Sequence, residues 1–570
     1  MKYKLKGNYD ENIVKQICET RSVNYSDLDM FINPNIWYVT NPFNYKNMVE
    51  IATVILEAVK DNLKIGILID SDVDGYCSSA MLVNYLYDVL DYKNIRFYLH
   101  EEKQHGLTPY IMDKIKACLP NVLIIPDASS SDFKQHKELR ELGVKTLIID
   151  HHETDGYSMD ATVVNNQIDE NGNKTLSAGG LVLKLLEAMD FLLCKSESVN
   201  YYDLASVSLV GDCMLMNNLE TRYYVQKGLV NVNNSLIQEL MKVDGSRSYE
   251  TVSFEIAPVI NAFIRVGTKE EKQDLFLALI NDKSERQITL RGQGTFNLAL
   301  PEYIAKMASR IKSRQTKEIN KALDSLVLLE HENLPFTFCV LDDSALRSLT
   351  GLIGNRLVEK YNKPAIVVKD FGDKYRGSGR TTDTFEDFKG YCNRSGYFDL
   401  AQGHKGAFGV VISKEKSSKM MIELKDKKLD DDSDCYIVDR AYFDFVSAFD
   451  IMSISELNRY WSRGFEKPLF YINLKLEGNE VDIIGAKRNT IRIRKDNITY
   501  VKFKCSEEEI KQIENKVVKQ VEIIGTFNVN EYYDNLYPQV LIEELEYIGE
   551  EKKTQQAFGF SFENFTNMKW

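Results

Sequence analysis

Val144-Lys-Thr-Leu-Ile-Ile149 runs straight into Asp150-His151-His152, in a chain with only seven histidines. A short apolar run rich in β-branched residues reads as a buried strand, and its polar end marks where the strand stops. In open α/β sheets the carboxyl ends of the strands form the crevice in which ligands bind. Asp and His delivered to that edge suit hard to borderline divalent cations, so the tripeptide predicts a metal site on an α/β scaffold.

The pattern recurs on either side. Leu63-Lys-Ile-Gly-Ile-Leu-Ile69 ends in Asp70-Ser-Asp72-Val-Asp74-Gly75, and Val122-Leu-Ile-Ile125 ends in Pro126-Asp127. The mostly apolar Leu204-Ala-Ser-Val-Ser-Leu-Val210 leads into Gly211-Asp212-Cys213 and is read as a fourth such segment. A single Asp after a strand commonly caps the next helix, and Asp74 before Gly75 also suits a turn. Four segments that all end in acids or imidazoles are harder to explain that way. Converging carboxylates raise one another's pKa, and two cations would relieve the repulsion.

These residues resemble the motifs of the DHH-family phosphoesterases, in the RecJ-like branch of single-strand-specific exonucleases. Asp70 to Gly75 resembles the first motif, Asp127 the second, Asp150-His151-His152 the third and Asp212 the fourth. Between and beyond them, His105-Gly-Leu-Thr108, Ser177-Ala-Gly-Gly-Leu-Val-Leu-Lys184 and Ile260-Asn-Ala-Phe-Ile-Arg265-Val-Gly267 are similar to segments of that branch. Gly351 to Leu357, Lys363 to Val367, Gly377-Ser-Gly-Arg380 and Gln402-Gly-His404-Lys-Gly-Ala-Phe-Gly409 resemble its DHHA1 domain. The likeness covers roughly residues 20 to 548. It departs from the pattern at Ser129, where the second motif usually has Gly, and at Gln402, where Gly is usual. Related pyrophosphatases carry a His where this chain has Leu68.

The resemblance implies two-metal hydrolysis of phosphodiester bonds in single-stranded DNA, in the 5′ to 3′ direction. It implies that Asp70 and Asp72 hold one ion, that Asp74, His151 and Asp212 hold the other, and that Asp127 bridges them. Asp150 is expected to orient the histidine pair, His152 to contact the reacting phosphoryl group, and Arg265, Arg380 and His404 to hold neighbouring phosphates. Two manganese ions suit the mixed Asp and His set, with magnesium as the other candidate. A phosphodiesterase for short oligonucleotides or cyclic dinucleotides is the alternative, and a scaffold with a decayed site fits least.

The fold expected is α/β: a parallel-sheet DHH domain at 46–300 after a helical lead-in at 1–45, a connecting helix at 301–334, a DHHA1 α/β domain at 335–440 and an OB-like β domain at 441–548. At 570 residues several cores are expected. Nine cysteines without a Cys-x-x-Cys pair indicate neither a zinc ribbon nor a disulfide scaffold, which suits a reducing cytoplasm. No apolar stretch is long enough to span a bilayer, so no membrane partner is expected. The formal charge of -13 argues against a general nucleic-acid coat protein. Local basic surfaces must then contact a strand. Lys306, Arg310, Arg314, Lys317 and Lys321 fall on one helix face, which by itself reads better as a solvated face than as a strand-binding one. Arg492 and Arg494 share one face of Thr490-Ile-Arg-Ile-Arg-Lys495, a stripe suited to phosphates or simply to solubility. Phe558, Phe560, Phe562, Phe565 and Trp570 in the tail at 549–570 suggest docking onto a replication or recombination protein or back onto the chain, although short termini are commonly unstructured.

Overall fold

The computed structural model describes residues 1–551 apart from 243–246, 291, 293, 325, 329–333, 383, 384, 386, 404, 428–434, 478, 479 and 534. His404 and the aromatic tail residues therefore lie outside the described residues. The chain folds as two units, each made of non-contiguous segments. One comprises Ser26–Ser433 and Arg459–Glu466, and the other comprises Met1–Tyr25, Asp434–Asn458 and Lys467–Trp570.

The larger unit is built on a parallel sheet of β1 (Ile65–Ile69), β2 (Ile95–Leu99), β3 (Val122–Pro126), β4 (Lys145–Asp150) and β5 (Thr162–Asn165), in the order 2-1-3-4-5. Every residue of β1 and β3 is buried, as a parallel sheet covered on both faces requires. Register places the site. Ile65 pairs with Val122, and Pro126 pairs with Ile149. Continued by the same offset, Asp70, Asp127 and Asp150 fall at one level on three adjacent strands. The amide of Asp127 still donates to the Ile149 carbonyl at 2.8 Å, which ties the second of these residues to the strand of the third.

Helices α1 (Val73–Asp88), α2 (Ala178–Leu193), α3 (Tyr202–Gly211) and α4 (Ala257–Val266) contribute to the main core around this sheet. The segment ending in Asp212 is thus a helix and not the strand expected. Its buried residues run unbroken from Asp203 to Val210, so the sequence shows no amphipathic period that would distinguish a helix from a short buried strand. Asp212 reaches the site as the residue that follows this helix.

The 25-residue helix α5 (Leu300–Asp324) leads to a second sheet. Its strands are β6 (Val327–Leu328), β7 (Thr337–Val340), β8 (Ala365–Phe371), β9 (Lys374–Arg380), β10 (Leu400–Gly403) and β11 (Ala407–Ser413), in the order 10-11-9-8-7-6. On α5, Arg314 pairs with Glu271 at 2.7 Å and Arg310 donates to the Thr289 carbonyl, so part of the basic face is engaged locally.

The other unit is β-rich, as expected. A seven-stranded sheet runs from Arg440–Phe443 through Phe470–Lys475, Lys516–Tyr532, Asn535–Glu551, Ile498–Lys502 and Thr490–Lys495 to Val481–Ile484. Lys2–Leu5 pairs in parallel with Cys435–Val438, and a buried ion pair joins Arg21 to Asp439 at 2.7 Å. In Thr490–Lys495 the alternation holds: Ile491 and Ile493 are buried, while Arg492 and Arg494 are not. Both arginines, however, face Asp482 on the neighbouring strand, at 2.8 and 3.7 Å. No helix among the described residues is long and apolar enough to cross a membrane.

Candidate metal centre

Three loops and two helix ends converge on the C-terminal edge of the parallel sheet. Asp72 caps α1 by accepting from the Gly75 amide at 3.0 Å, so the capping role and a site role coincide in one residue. Gly75 is needed there because a Cβ would lie 2.6 Å from the Cβ of Asp70. Asp74 projects into the first turn of α2. One of its oxygens accepts from Ser177 Oγ, Ser208 Oγ and the Gly179 amide, and the other accepts from the Ala178 amide. The Ala178 and Gly179 amides are free donors of the helix N-terminus, and they fix the direction of the carboxylate. A Cβ at Gly179 would fall 2.0 Å from Ser208 Oγ, which explains the small residues that open this helix.

Asp150 organises the histidine pair. Its Oδ1 accepts from the amides of His151 at 2.8 Å and His152 at 3.2 Å and meets His152 Nδ1 at 2.7 Å. Its Oδ2 accepts from the Ser130 amide. The two rings therefore diverge. Buried His151 places Nε2 3.3 Å from Asp127, 3.4 Å from Asp212 and 3.5 Å from Asp74. His152 is half exposed, and its Nδ1 is 4.0 Å from Asp127. Burial lowers the His152 pKa, but the charge and hydrogen bond of Asp150, with Asp212 and Asp72 beyond, raise it to about 10. Burial lowers the pKa of His151, and the neighbouring His152 charge adds to the effect.

Asp127 is the strained member. Both of its oxygens are buried without a hydrogen-bond partner, as are His151 Nε2 and Asp212 Oδ2. Burial and the charges of Asp74, Asp72, Asp70 and Asp212 push its carboxyl far above the usual range. Burial and Asp74 do the same to Asp212. Buried, inward-facing acceptors with no donors are costly unless something positive sits among them. The donor atoms fall into three sets that could each hold a cation: Asp70, Asp72 and His105; Asp74, His151 and Asp212; and Asp127, His151 and His152. The residues fit divalent metal ions on this ground.

The backbone at the second motif accounts for the departure at Ser129. Asp127 and Ser129 both adopt left-handed conformations, with φ of 69° and 76°. Asp tolerates this region, whereas Ser at 129 bears the cost that the usual glycine avoids. That cost, about 1–2 kcal/mol, exceeds the roughly 0.5–1 kcal/mol of extra chain entropy that glycine brings. Ser129→Gly should therefore stabilise the fold by up to about 1 kcal/mol, read as a higher denaturant midpoint with an unchanged slope.

Two residues that the sequence reading left without a role belong to the site. His105 contacts Asp70 through Nδ1, and Lys103 stands beside it. Burial lowers the pKa of Lys103, with the Arg265 and Arg380 charges adding to the effect and Asp72 and Asp70 opposing it. Burial likewise lowers Arg265, and it lowers Arg380 to about 10 with a further contribution from Arg265. Lys103, Arg265 and Arg380 thus form a cationic cluster next to Asp72. A cleft of about 350 Å³ is lined by His151, His152, Cys213, Gln402 and Arg463, so the unusual Gln402 borders the site. Arg492 and Arg494 lie in the other unit. The only available signal for Lys103 and His105 was their proximity to the Gly106-Leu107-Thr108 turn.

The model of the DHH family, N-terminal domain, matches residues 64–211. YorK of the SPbeta prophage in Bacillus subtilis strain 168, provisionally named a single-strand DNA-specific exonuclease, is 30% identical over 582 residues, covering 97% of this chain and 99% of its own. RecJ of the same strain, named a single-stranded-DNA-specific exonuclease, is 24% identical over 537 residues, covering 88% of this chain and 64% of its own. Among solved structures, RecJ from Thermus thermophilus in complex with Mn2+ matches with a TM-score of 0.72 over 94% of this chain and 76% of that one, at 18% identity, a likeness of fold. The chain belongs to the DHH family, in its RecJ-like branch of nucleases.

Proposed function

We propose that this protein is a manganese-dependent exonuclease that degrades single-stranded DNA from the 5′ end, using two cations. The observation that carries this reading is the juxtaposition of unpartnered buried ligand atoms at Asp127, His151 and Asp212 with the Lys103, Arg265 and Arg380 cluster. Kinship with proteins named single-strand-specific exonucleases adds to it. Asp70 and Asp72 would hold one ion and Asp74, His151 and Asp212 the other, with Asp127 between them. Bound there, such ions would lower the pKa of water and neutralise phosphoryl oxygens.

The chain's own groups do the rest. Asp150 fixes the His152 ring through Nδ1, which leaves the opposite edge of an imidazolium free to bond a non-bridging phosphate oxygen. Lys103, Arg265 and Arg380 bind the phosphate next along the strand, and being partly withdrawn from water they do so more strongly than surface cations. Arg492 and Arg494 add less to strand binding than their alternation suggests, because Asp482 pairs with Arg492 at 2.8 Å and offsets one of the two charges. Since Arg459–Glu466 belongs to the larger unit, paired substitution of these arginines tests their part more cleanly than truncation from residue 441.

The test is digestion of end-labelled single strands, duplexes, RNA and dinucleotides with Mn2+ and with Mg2+. The expected result is mononucleotide release from a 5′-labelled single strand at early times, with duplex and RNA cut slowly. Preferential turnover of dinucleotides, or early release of label from the 3′ end, would overturn the reading.

A further inference from the structure

We infer that His105 is a direct ligand of the cation held with Asp70 and Asp72, and that it gives this position a preference for manganese over magnesium. The inference rests on the metal-dependent reading above and adds a residue to it. An imidazole nitrogen of His105 and one oxygen each from Asp70 and Asp72 lie within 4.8 Å of one another, a spacing that one ion could span. The three come from different elements, the ends of β1 and α1 and the loop after β2.

That loop is held firmly. The Gly106 amide donates to Asp70 Oδ1 at 3.0 Å, and the Leu107 amide donates to Asp132 at 3.0 Å. Thr108 then caps the helix Pro109–Ala117 by accepting from the Ile111 amide. Gly106 has φ of +67°, and a Cβ there would meet Asp132 Oδ2 at 2.7 Å and Ser129 Oγ at 2.9 Å, so the turn admits only glycine without rearrangement. His105 is consequently delivered to Asp70 by a rigid turn, with its Nδ1 against Asp70 Oδ2. The second oxygen of Asp70 is occupied by Gly106, and one oxygen of Asp72 is occupied by Gly75. Each carboxylate therefore has one oxygen left to share with His105.

Ligand chemistry gives the consequence. A site made of carboxylates alone suits Mg2+ as well as Mn2+, whereas an imidazole nitrogen favours the transition metal. His105 thereby makes the Asp70 position selective, while His151 supplies the nitrogen of the Asp74 and Asp212 position.

Full-length protein, His105→Ala and His105→Asn are titrated with Mn2+ and Mg2+ in the absence of DNA. Free Mn2+ is counted by EPR, and 14N modulation in the echo envelope reports bound imidazole. His151→Ala/His152→Ala isolates the signal, because the nitrogen that remains in it belongs to His105. The expected result is that His105→Ala and His105→Asn weaken one of two Mn2+ sites by about 10-fold or more. Mg2+ affinity should change little, and adding His105→Ala to the His151→Ala/His152→Ala variant should abolish the nitrogen signal. Asn can still hydrogen-bond Asp70, so an Asn variant with parental Mn2+ affinity and nitrogen signal would show that His105 only positions Asp70, and the inference would fail. Parental protein that binds no Mn2+ would instead defeat the metal-dependent reading itself.

Discussion

Asp127→Asn is expected to lose hydrolysis by about a thousandfold or more while the metal-free protein melts no lower than the parent. The two effects share one cause. Asp127 stands where the charges of Asp70, Asp72, Asp74 and Asp212 meet, with both oxygens buried and without donors. Removing a carboxylate that two cations would share withdraws several kcal/mol of transition-state stabilisation, and about 4 kcal/mol corresponds to a thousandfold in rate. In the absence of metal the same carboxylate is a liability. Its pKa is raised by folding, so it holds its proton more tightly in the folded state than in the unfolded chain. The metal-free parent should therefore lose stability as pH rises above the ordinary carboxylate range, about 4, towards the raised value. Asparagine imitates the protonated acid, tolerates the left-handed backbone at φ 69° and does not titrate. The variant's metal-free melting temperature should be flatter with pH than the parent's and equal or higher near neutrality. Added Mn2+ should raise the parent's melting temperature and leave the variant's nearly unchanged, since only a ligand bound to the folded state stabilises it. Near-parental turnover with two bound ions, or a variant that unfolds at lower temperature throughout, would remove Asp127 from the centre of the site.

Much of the scaffold was legible because its signals are local. β1, β3 and β4 end where their apolar runs end, and parallel pairing then brings Asp70, Asp127 and Asp150 to one level. Asp212 was legible as a site residue but not in its setting, since α3 is buried on nearly all sides and shows no amphipathic period. Lys103 and His105 were harder to find because nothing in their neighbours fixes the path of an irregular loop. Their place follows from the Gly106 amide finding Asp70, 36 residues away in sequence. The same limit explains the arginine stripe. Alternation along Thr490–Lys495 was readable, but the pairing of Asp482 with Arg492 is a matter of strand register. The Ser129 departure shows the converse, a change of residue that leaves the geometry in place, since serine occupies the left-handed conformation where glycine is usual.

The histidine pair should separate cleanly on substitution. His151→Ala removes the nitrogen that faces Asp74, Asp127 and Asp212, so it should lose an ion, and turnover should fall with it. His152→Ala should keep both ions, because Nδ1 is engaged by Asp150 and the ring is half exposed. Its turnover should nevertheless fall by roughly 10²–10³-fold, the usual cost of losing a preorganised donor to a developing negative charge. In the metal-free protein the charge and hydrogen bond of Asp150 raise the His152 pKa to about 10, so its ring resonances should not titrate between pH 7 and 9 in an NMR titration. His152→Gln keeps a donor in the cleft without the charge and should fall between the parent and the alanine variant. Metal counting by EPR alongside single-turnover rates separates the two roles. The assignment is reversed if His152→Ala loses an ion while His151→Ala keeps both, and it is wrong for His152 if its alanine variant turns over at the parental rate.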